Sequence, residues 1–231
     1  MREIARYALF VAALAACKSQ PRSADESGTA AGAPAASGSE DADRPTGGGG
    51  VPTGFLGRTD RPSNTIAEVR YVTKSPSQWE ITTGPAHILW AAGDTARGSF
   101  TVATTIEQLE APTHAEAYGL FIGGRDLDQP TQTYTYLVVR GTGEYLVRVR
   151  EGDATRTAIP WSKNDAVPVQ DARGRATYRL AIRAGADSVR FLVNGTQVGA
   201  VAAGSVPTDG IFGLRVNHNL HVQADRVRSG D

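Results

Sequence analysis

The segment of residues 133–150 constrains the fold more than any other part of the sequence, because it fixes its own strand pairing. It contains two runs rich in β-branched and aromatic residues, TYTYLVVR and EYLVRVR, separated by the loop Gly-Thr-Gly at 141–143. A three-residue loop with a glycine free to adopt positive φ places Arg140 opposite Glu144. We therefore predict an antiparallel hairpin over this segment.

This register sorts the side chains onto two faces of the hairpin. The apolar face carries three cross-strand pairs, Val139 with Tyr145, Leu137 with Val147, and Thr135 with Val149. The polar face carries two, Tyr136 with Arg148 and Tyr134 with Arg150. A slip of one residue would put arginine on the apolar face, so the register is strongly specified. The sequence thus predicts one face in a core and one face of tyrosine, arginine and glutamate.

The same β pattern continues through residues 54–231. Short runs rich in β-branched and aromatic residues alternate with Gly, Pro, Asn and Asp, and no segment keeps a helical period. Asn194-Gly195 favours a type I′ hairpin turn. We predict further strands near residues 66–72, 87–91, 99–109, 117–123, 176–184, 188–193, 197–202, 210–216 and 220–228. The expected fold class is all-β, an antiparallel two-sheet β-sandwich of the jelly-roll type.

Three segments carry a resemblance to a known superfamily. They are the long early strand Ser99–Ile106 ahead of Gly119–Gly123, the hairpin Val193–Val198, and the closing strand Gly210–Val216, followed by a last strand through His221 and Val227. This order of elements resembles the concanavalin A-like lectin/glucanase sandwiches, the superfamily that also holds laminin-G-like and 3-keto-disaccharide hydrolase-like domains. The resemblance spans residues 66–228 and implies a curved sandwich whose concave face commonly binds glycans.

The first seventeen residues, MREIARYALFVAALAAC, carry a separate resemblance. Arg2 and Arg6 precede a short apolar run, and Leu14-Ala-Ala-Cys17 closes it. This order resembles a bacterial lipoprotein signal peptide, in which Cys17 is diacylated and becomes the first mature residue. An ordinary signal peptide with an incidental cysteine is the alternative. Because Lys18 is not the aspartate that typically retains lipoproteins at the inner membrane, the resemblance implies a lipid anchor in the cell envelope and favours the outer membrane.

Residues 18–53 separate this signal from the folded domain. They are rich in Ser, Ala, Gly, Pro and acidic residues and include four consecutive glycines at 47–50. Such a segment has little apolar surface to bury, so we predict a disordered linker followed by a β-sandwich domain over residues 54–231. The whole chain has 24 basic and 24 acidic residues, and this balance argues against binding to nucleic acid.

The sequence does not assign a catalytic group. Glucanases of the resembling fold use paired carboxylates in a Glu-x-Asp-x-x-Glu arrangement, and this spacing does not occur here. The nearest acidic pairs are Glu107 with Glu110 and Asp126 with Asp128. This argues against retaining hydrolysis and leaves the catalytic residues, and the question of an enzymatic activity, open.

Metal and cofactor binding receive little support. Asp126 and Asp128 could give oxygens to a structural calcium ion, but local turn hydrogen bonds and pairing with Arg125 are the simpler interpretation. His218 and His221 are three residues apart and would point to opposite faces of an extended chain. We predict no cofactor and no metal site, with structural calcium as the alternative. The segment 217–219 is interpreted as a polar turn, or alternatively as part of the rim of a binding face.

The polar face of the hairpin is the best candidate for a binding surface. Arginine and tyrosine combine apolar stems or rings with donors in fixed geometry, so they can stack on a sugar ring and bind its hydroxyls or carboxylate. A solvated outer sheet face without a ligand is the alternative. We predict as ligand-binding residues Tyr134, Tyr136, Arg140, Arg148 and Arg150, with Arg125 and Asp126 at the rim.

Two further expectations concern exposure around this face. If the face is solvated, replacing Tyr136 or Arg148 by alanine should change stability by no more than about 1 kcal/mol. Of the tryptophans, Trp90 closes an apolar run and should be buried, whereas Trp161 follows Pro160 in an expected loop and suits the rim.

The sequence therefore indicates a cell-envelope lipoprotein that carries a non-catalytic β-sandwich module. The module would bind a glycan or another anionic or polar polymer, and its other contact would be with the membrane through the lipid anchor. One alternative is a glycoside hydrolase or lyase of the 3-keto-disaccharide hydrolase-like kind. A second is a structural envelope lipoprotein that binds a protein partner.

Overall fold

A computed structural model of the chain describes residues 49–230. The predicted signal peptide, the lipidation site Cys17 and most of the predicted linker lie outside the described residues. The last five residues of that linker, 49–53, are described. The backbone amides of Gly49 and Gly50 donate hydrogen bonds to the Val69 carbonyl at 3.3 and 3.2 Å, and Val51 packs against the core.

The described part of the chain is all-β, as predicted. Apart from one 3-10 turn at Ile66–Glu68, its regular elements are strands. In chain order they are β1 Leu56–Thr59, β2 Arg70–Ser75, β3 Gln78–Thr83, β4 His87–Ala96, β5 Phe100–Gln108, β6 Ala117–Arg125, β7 Thr133–Arg140, β8 Glu144–Glu151, β9 Ala154–Lys163, β10 Ala176–Ala184, β11 Ser188–Val193, β12 Thr196–Ala202, β13 Gly210–Val216, β14 Leu220–Asp225 and β15 Arg228–Gly230.

The strands form two antiparallel sheets. The seven-stranded sheet has the order β1-β4-β13-β6-β7-β8-β9, and the eight-stranded sheet has the order β12-β11-β10-β5-β14-β3-β2, with β15 also pairing with β5. The main core draws fully buried side chains from both sheets, such as Leu120 and Val147 from the first and Ile106, Leu180 and Phe191 from the second. This arrangement confirms the predicted two-sheet sandwich.

The hairpin of β7 and β8 has the predicted register. Arg140 lies opposite Glu144, Tyr136 opposite Arg148, and Tyr134 opposite Arg150. Gly143 in the loop adopts a φ of 85°, which the absence of a Cβ permits. The Asn194-Gly195 turn is also as predicted, since both residues have positive φ, at 52° and 84°, as a type I′ turn requires.

The outer face of the seven-stranded sheet differs from expectation because it is largely covered. It holds a second apolar cluster that includes Trp90, Phe121 and Tyr134. Tyr136 is only 7% exposed, and the guanidinium of Arg215 from β13 lies 5.6 Å from its ring centroid. The expected limit of about 1 kcal/mol for Tyr136→Ala is therefore wrong, since removing a buried ring leaves a cavity.

β1, β3 and β9 were not predicted from the sequence, the last predicted strand divides into β14 and β15, and one predicted strand starts later. β3 buries only Trp79, Ile81 and Thr83, so its alternation is short. β9 is an edge strand with Pro160 in it, a position where proline is tolerated; Trp161 thus lies in a strand and not in a loop. Residues 66–68 form a 3-10 turn, which the Thr65 side chain caps, ahead of β2.

Candidate functional site

A pocket of about 380 Å³ opens on the outer face of the seven-stranded sheet. We call it the Tyr/Arg pocket. The β7–β8 hairpin contributes Tyr134, Tyr136, Val138, Leu146, Arg148 and Arg150. The surrounding strands and connections contribute Asp60, Arg61, Asn64, Ala86, Ala117, Thr155, Trp161, Arg215, Asn217 and His218.

The hairpin places its six pocket residues by simple alternation. Side chains two residues apart on one strand point to the same face, and cross-strand partners share that face. Tyr134 pairs with Arg150, Tyr136 with Arg148, and Val138 with Leu146. One face of a single hairpin therefore supplies two phenol rings and two guanidinium groups to the Tyr/Arg pocket.

An ion pair between the buried Arg215 and the half-buried Asp60 forms one side of the pocket. Both terminal nitrogens of Arg215 donate to the Asp60 carboxylate, at 2.5 and 2.6 Å, and Nη2 also donates to the Asn217 Oδ1 at 3.0 Å. Burial alone would raise the pKa of Asp60, but the charge and hydrogen bonds of Arg215 outweigh burial, so the pKa lies below its usual range. Asp60 is therefore ionised at neutral pH and neutralises Arg215.

Arg148 differs from the other arginines of the β7–β8 hairpin. Arg150 donates to the Gly152 carbonyl at 2.5 Å, and Arg140 donates to Glu144 at 2.9 Å. Arg148 is half-buried and has no hydrogen-bond, ion-pair or ring partner among residues 49–230, and its Nε is fully buried. An arginine with five donors thus points into the pocket without a protein acceptor in this part of the chain.

The structure brings four of the seven predicted ligand-binding residues into the Tyr/Arg pocket: Tyr134, Tyr136, Arg148 and Arg150. Arg140 does not line the Tyr/Arg pocket. Its guanidinium stacks on Trp161, 4.1 Å from the ring centroid, and Trp161 does line the pocket. Arg140 therefore packs against a residue of the pocket wall.

Arg125 and Asp126 do not lie at the rim of this pocket. The pairing of β6 with β7 shifts between Ile122 and Arg125, where Gly123 has a φ of 68°, so the strand parity changes there. The Arg125 Nε donates to the Asp209 carbonyl at 3.3 Å, and the side chain lines a separate recess. The rim position predicted for these two residues is corrected on this ground.

The sequence analysis missed Asp60 and Arg215 as pocket residues. Alternation along β13 offered a signal, since Phe212, Leu214 and Val216 are buried in the main core and Arg215 must face the other way. The pairing of β13 with β6 is not local, so this signal alone could not place Arg215 near Tyr136. Asn217 and His218 do line the pocket, in line with the rim alternative for segment 217–219.

The sequence candidates for calcium show turn chemistry. The Asp126 carbonyl accepts a hydrogen bond from the Gln129 amide at 2.8 Å, and Thr131 lies 3.5 Å from its carboxylate. Among the described residues, a different group brings potential metal-ligand atoms together: His114, Glu116 and His218. His218 places this group at the edge of the Tyr/Arg pocket.

Comparison with known proteins identifies the fold. No protein family and no curated protein matches the sequence. A galectin-like-fold protein of unknown function from Bacillus subtilis matches 76% of this chain and 88% of its own, at 15% identity and a TM-score of 0.52. A family 16 glycoside hydrolase from the mixed-linkage glucan locus of Bacteroides ovatus matches 76% of this chain and 94% of its own, at 9% identity and a TM-score of 0.52. A family 16 endo-glucanase from Bacteroides ovatus gives the same coverage and TM-score at 10% identity. The chain has the concanavalin A-like lectin/glucanase sandwich fold that its sequence resembles.

Proposed function

We propose that this chain is a non-catalytic module that binds a glycan, with a preference for acidic sugars, in the Tyr/Arg pocket. The observation that carries the proposal is Arg148, a half-buried arginine in the pocket without a protein partner among residues 49–230. A buried donor without an acceptor lowers stability by about 1–3 kcal/mol. Such a residue is explained when its acceptor is a ligand.

The chemistry around Arg148 suits an acidic sugar. Four arginines and one aspartate line the pocket, so its lining is net positive. A guanidinium binds a carboxylate through two parallel hydrogen bonds. Trp161 in the same pocket is partly exposed and offers aromatic surface on which a pyranose ring can stack. Charge and aromatic surface together favour a uronic acid over a neutral hexose.

The fold supports the ligand class, and the pocket favours binding over hydrolysis. Two of the similar structures are glycoside hydrolases solved with glucan-derived ligands. A glycosidase needs two carboxyl groups across the scissile bond. Asp60 is the one carboxylate that residues 49–230 contribute to the lining of the Tyr/Arg pocket, and Arg215 holds it in an ion pair.

Replacing Arg148 by methionine tests this proposal. We expect Arg148→Met to be at least as stable as the parent in urea unfolding, because the change removes an unpaired buried donor and keeps the apolar stem. Binding of the full chain to polygalacturonate, measured by calorimetry, should weaken by roughly tenfold or more. The affinity of Arg148→Lys should lie between those of the parent and Arg148→Met, because lysine keeps the positive charge but cannot form the two parallel hydrogen bonds of a guanidinium.

Arg175→Met is the matched control for this experiment. Arg175 is a surface arginine that pairs with Glu107 and is not part of the pocket lining, so its replacement should leave polygalacturonate binding unchanged. A neutral β-glucan should bind the parent more weakly than polygalacturonate does. Equal loss of affinity in both arginine variants, or a clear loss of stability in Arg148→Met, would contradict the proposal.

We propose further that Cys17 is lipidated and anchors the chain in the bacterial cell envelope, with the outer membrane as its place. The support is the order of basic, apolar and small residues ahead of Cys17. Within residues 49–230, no helix is long and apolar enough to cross a membrane.

Mass spectrometry of the chain isolated from a bacterial host tests the anchor. We expect a mature N-terminus that begins at a diacylated Cys17. The Cys17→Ala variant should be lost from the membrane fraction in which the parent is found. A mature protein that keeps residues 1–16 and carries an unmodified thiol would contradict this proposal.

A further inference from the structure

Three metal-ligating side chains meet at the edge of the Tyr/Arg pocket. The Glu116 Oε1 lies 2.9 Å from the His114 Nε2 and 2.8 Å from the His218 Nε2. The two Nε2 atoms are 3.1 Å apart. The three ligand atoms therefore form a nearly equilateral triangle. Each atom belongs to a group that binds divalent transition metals in proteins.

Hydrogen bonds between the three ligand atoms do not account for all three short distances. An imidazole Nε2 carries at most one hydrogen, which lies in the ring plane. If both nitrogens carry it, both can donate to Glu116, but the two N–H groups then meet at the histidine contact. If one nitrogen lacks it, its lone pair faces the carboxylate. With the Glu116 oxygen as the acceptor, each placement of hydrogens on the two Nε2 atoms therefore leaves an unfavourable contact.

Hydrogen bonds from neighbouring groups hold Glu116 and His114 in place. The Asn217 Nδ2 donates to the second oxygen of Glu116 at 3.0 Å, and Asn217 in turn accepts from Arg215. The Thr113 Oγ1 lies 3.3 Å from the Nδ1 of His114 and accepts from Asn219 at 2.7 Å. Hydrogen bonds of this kind, on the side of a ligand away from the metal, orient metal ligands in known sites.

We propose that His114, Glu116 and His218 bind one divalent transition metal ion of the zinc class. Two imidazole nitrogens and a carboxylate oxygen suit Zn²⁺ and its neighbours better than Ca²⁺ or Mg²⁺, which prefer oxygen alone. An ion about 2.1 Å from each atom would see the three ligands at roughly 90° to one another, the facial arrangement of two histidines and one carboxylate. The positive ion replaces every unfavourable contact in the triangle with a metal–ligand bond.

The site is open to solvent on one side. The His114 side chain is 50% exposed, whereas Glu116 is 12% and His218 28% exposed. An ion can therefore enter and keep further coordination positions for water. Because His218 and its neighbour Asn217 also line the Tyr/Arg pocket, those positions lie next to the proposed glycan site, although metal binding itself does not depend on that function.

Titration of the metal-free full chain with Zn²⁺ and with Co²⁺ tests the site. The protein should carry no histidine tag, and Cys17→Ser should be present throughout, because a thiolate competes for these ions. We expect one ion per chain by calorimetry, with visible Co²⁺ absorption bands that Zn²⁺ displaces. His218→Ala and His114→Gln should each weaken Zn²⁺ binding by about 100-fold or more, and Asn217→Ala by about tenfold, the effect of an outer partner.

His221→Ala is the control, since His221 contacts Glu80 and Glu110 outside the triangle and should keep the parental affinity. Each variant should show the parental circular dichroism spectrum in chelator. If His218→Ala fails that check, His114→Gln, on a half-exposed side chain, still decides the result. Equal Zn²⁺ affinity in the parent and in folded His114→Gln, or a loss in His221→Ala alone, would overturn the proposal.

Discussion

Replacing Asp60 by alanine is expected to lower the free energy of unfolding by about 3–5 kcal/mol, the usual result of breaking a buried ion pair from one side. Arg215 is only 5% exposed, and its Nε already lacks a partner among the described residues. Without Asp60, the Arg215 guanidinium keeps Asn217 as a neutral acceptor and loses its counter-charge. Urea unfolding of parent and variant at neutral pH measures the difference.

A second replacement separates the lost ion pair from lost packing. Adding Arg215→Met to Asp60→Ala should restore much of the stability, because the double variant no longer buries an unpaired charge. Glu107→Ala, which breaks the surface pair with Arg175, should lower stability by less than about 1 kcal/mol. Similar losses for Asp60→Ala and Glu107→Ala would show that the pair with Arg215 is not buried as described.

His87 should make the protein lose stability in mild acid. The side chain is fully buried; its Nε2 lies 2.6 Å from the Tyr71 hydroxyl, and its Nδ1 lies 3.3 Å from the Pro85 carbonyl. Burial lowers the pKa of His87 from 6.5 to about 4; the Pro85 carbonyl opposes this shift, and the charge of Arg215 adds to it. Between pH 6.5 and pH 4 the unfolded chain therefore binds a proton that the folded chain does not.

The sign and size of the effect follow from proton linkage. Above pH 6.5 His87 is neutral in both states, so it adds no pH dependence. As the pH falls to 4, the free energy of unfolding should drop by about 3 kcal/mol on account of this group. The Asp60 pKa is lowered from 3.8, so the stability from its ionised form is lost at more acidic pH, as pH falls through its folded-state pKa.

Urea unfolding at several pH values between 7.5 and 4.5 measures this dependence. His87→Gln keeps a hydrogen-bonding side chain and removes the titrating group, so its stability should change much less over the same range. A parental slope in the His87→Gln protein would assign the acid sensitivity to other groups.

Local patterns in the sequence determined the pairing of neighbouring strands. In the β7–β8 hairpin, the side-chain period of two and the Gly-Thr-Gly loop leave only one register that keeps arginine out of the core, and the structure has it. Asn194-Gly195 likewise dictates its own turn, because both positions need positive φ. Strands with weak alternation, such as β3, or with edge proline, such as β9, carried too little local signal.

The same reasoning explains which part of the site the sequence could supply. Tyr134, Tyr136, Arg148 and Arg150 share a face because one hairpin sets their geometry. Arg125 was predicted on the wrong face of the sheet because the irregularity after Ile122 changes which face each following residue points to. A sequence pattern of period two does not reveal such a bulge.

The contacts that complete the site join segments that are far apart in the sequence. β13 inserts between β4 and β6, which brings Arg215 to Asp60 across 155 positions of sequence and covers Tyr136. The turn after β13 brings His218 to His114, 104 positions apart. Strand order between non-consecutive strands depends on the packing of the whole sandwich core, and no local period encodes it. The hairpin face and the fold class therefore follow from patterns within the sequence, whereas the ion pair, the burial of Tyr136 and the triangle of His114, Glu116 and His218 depend on how distant strands pack.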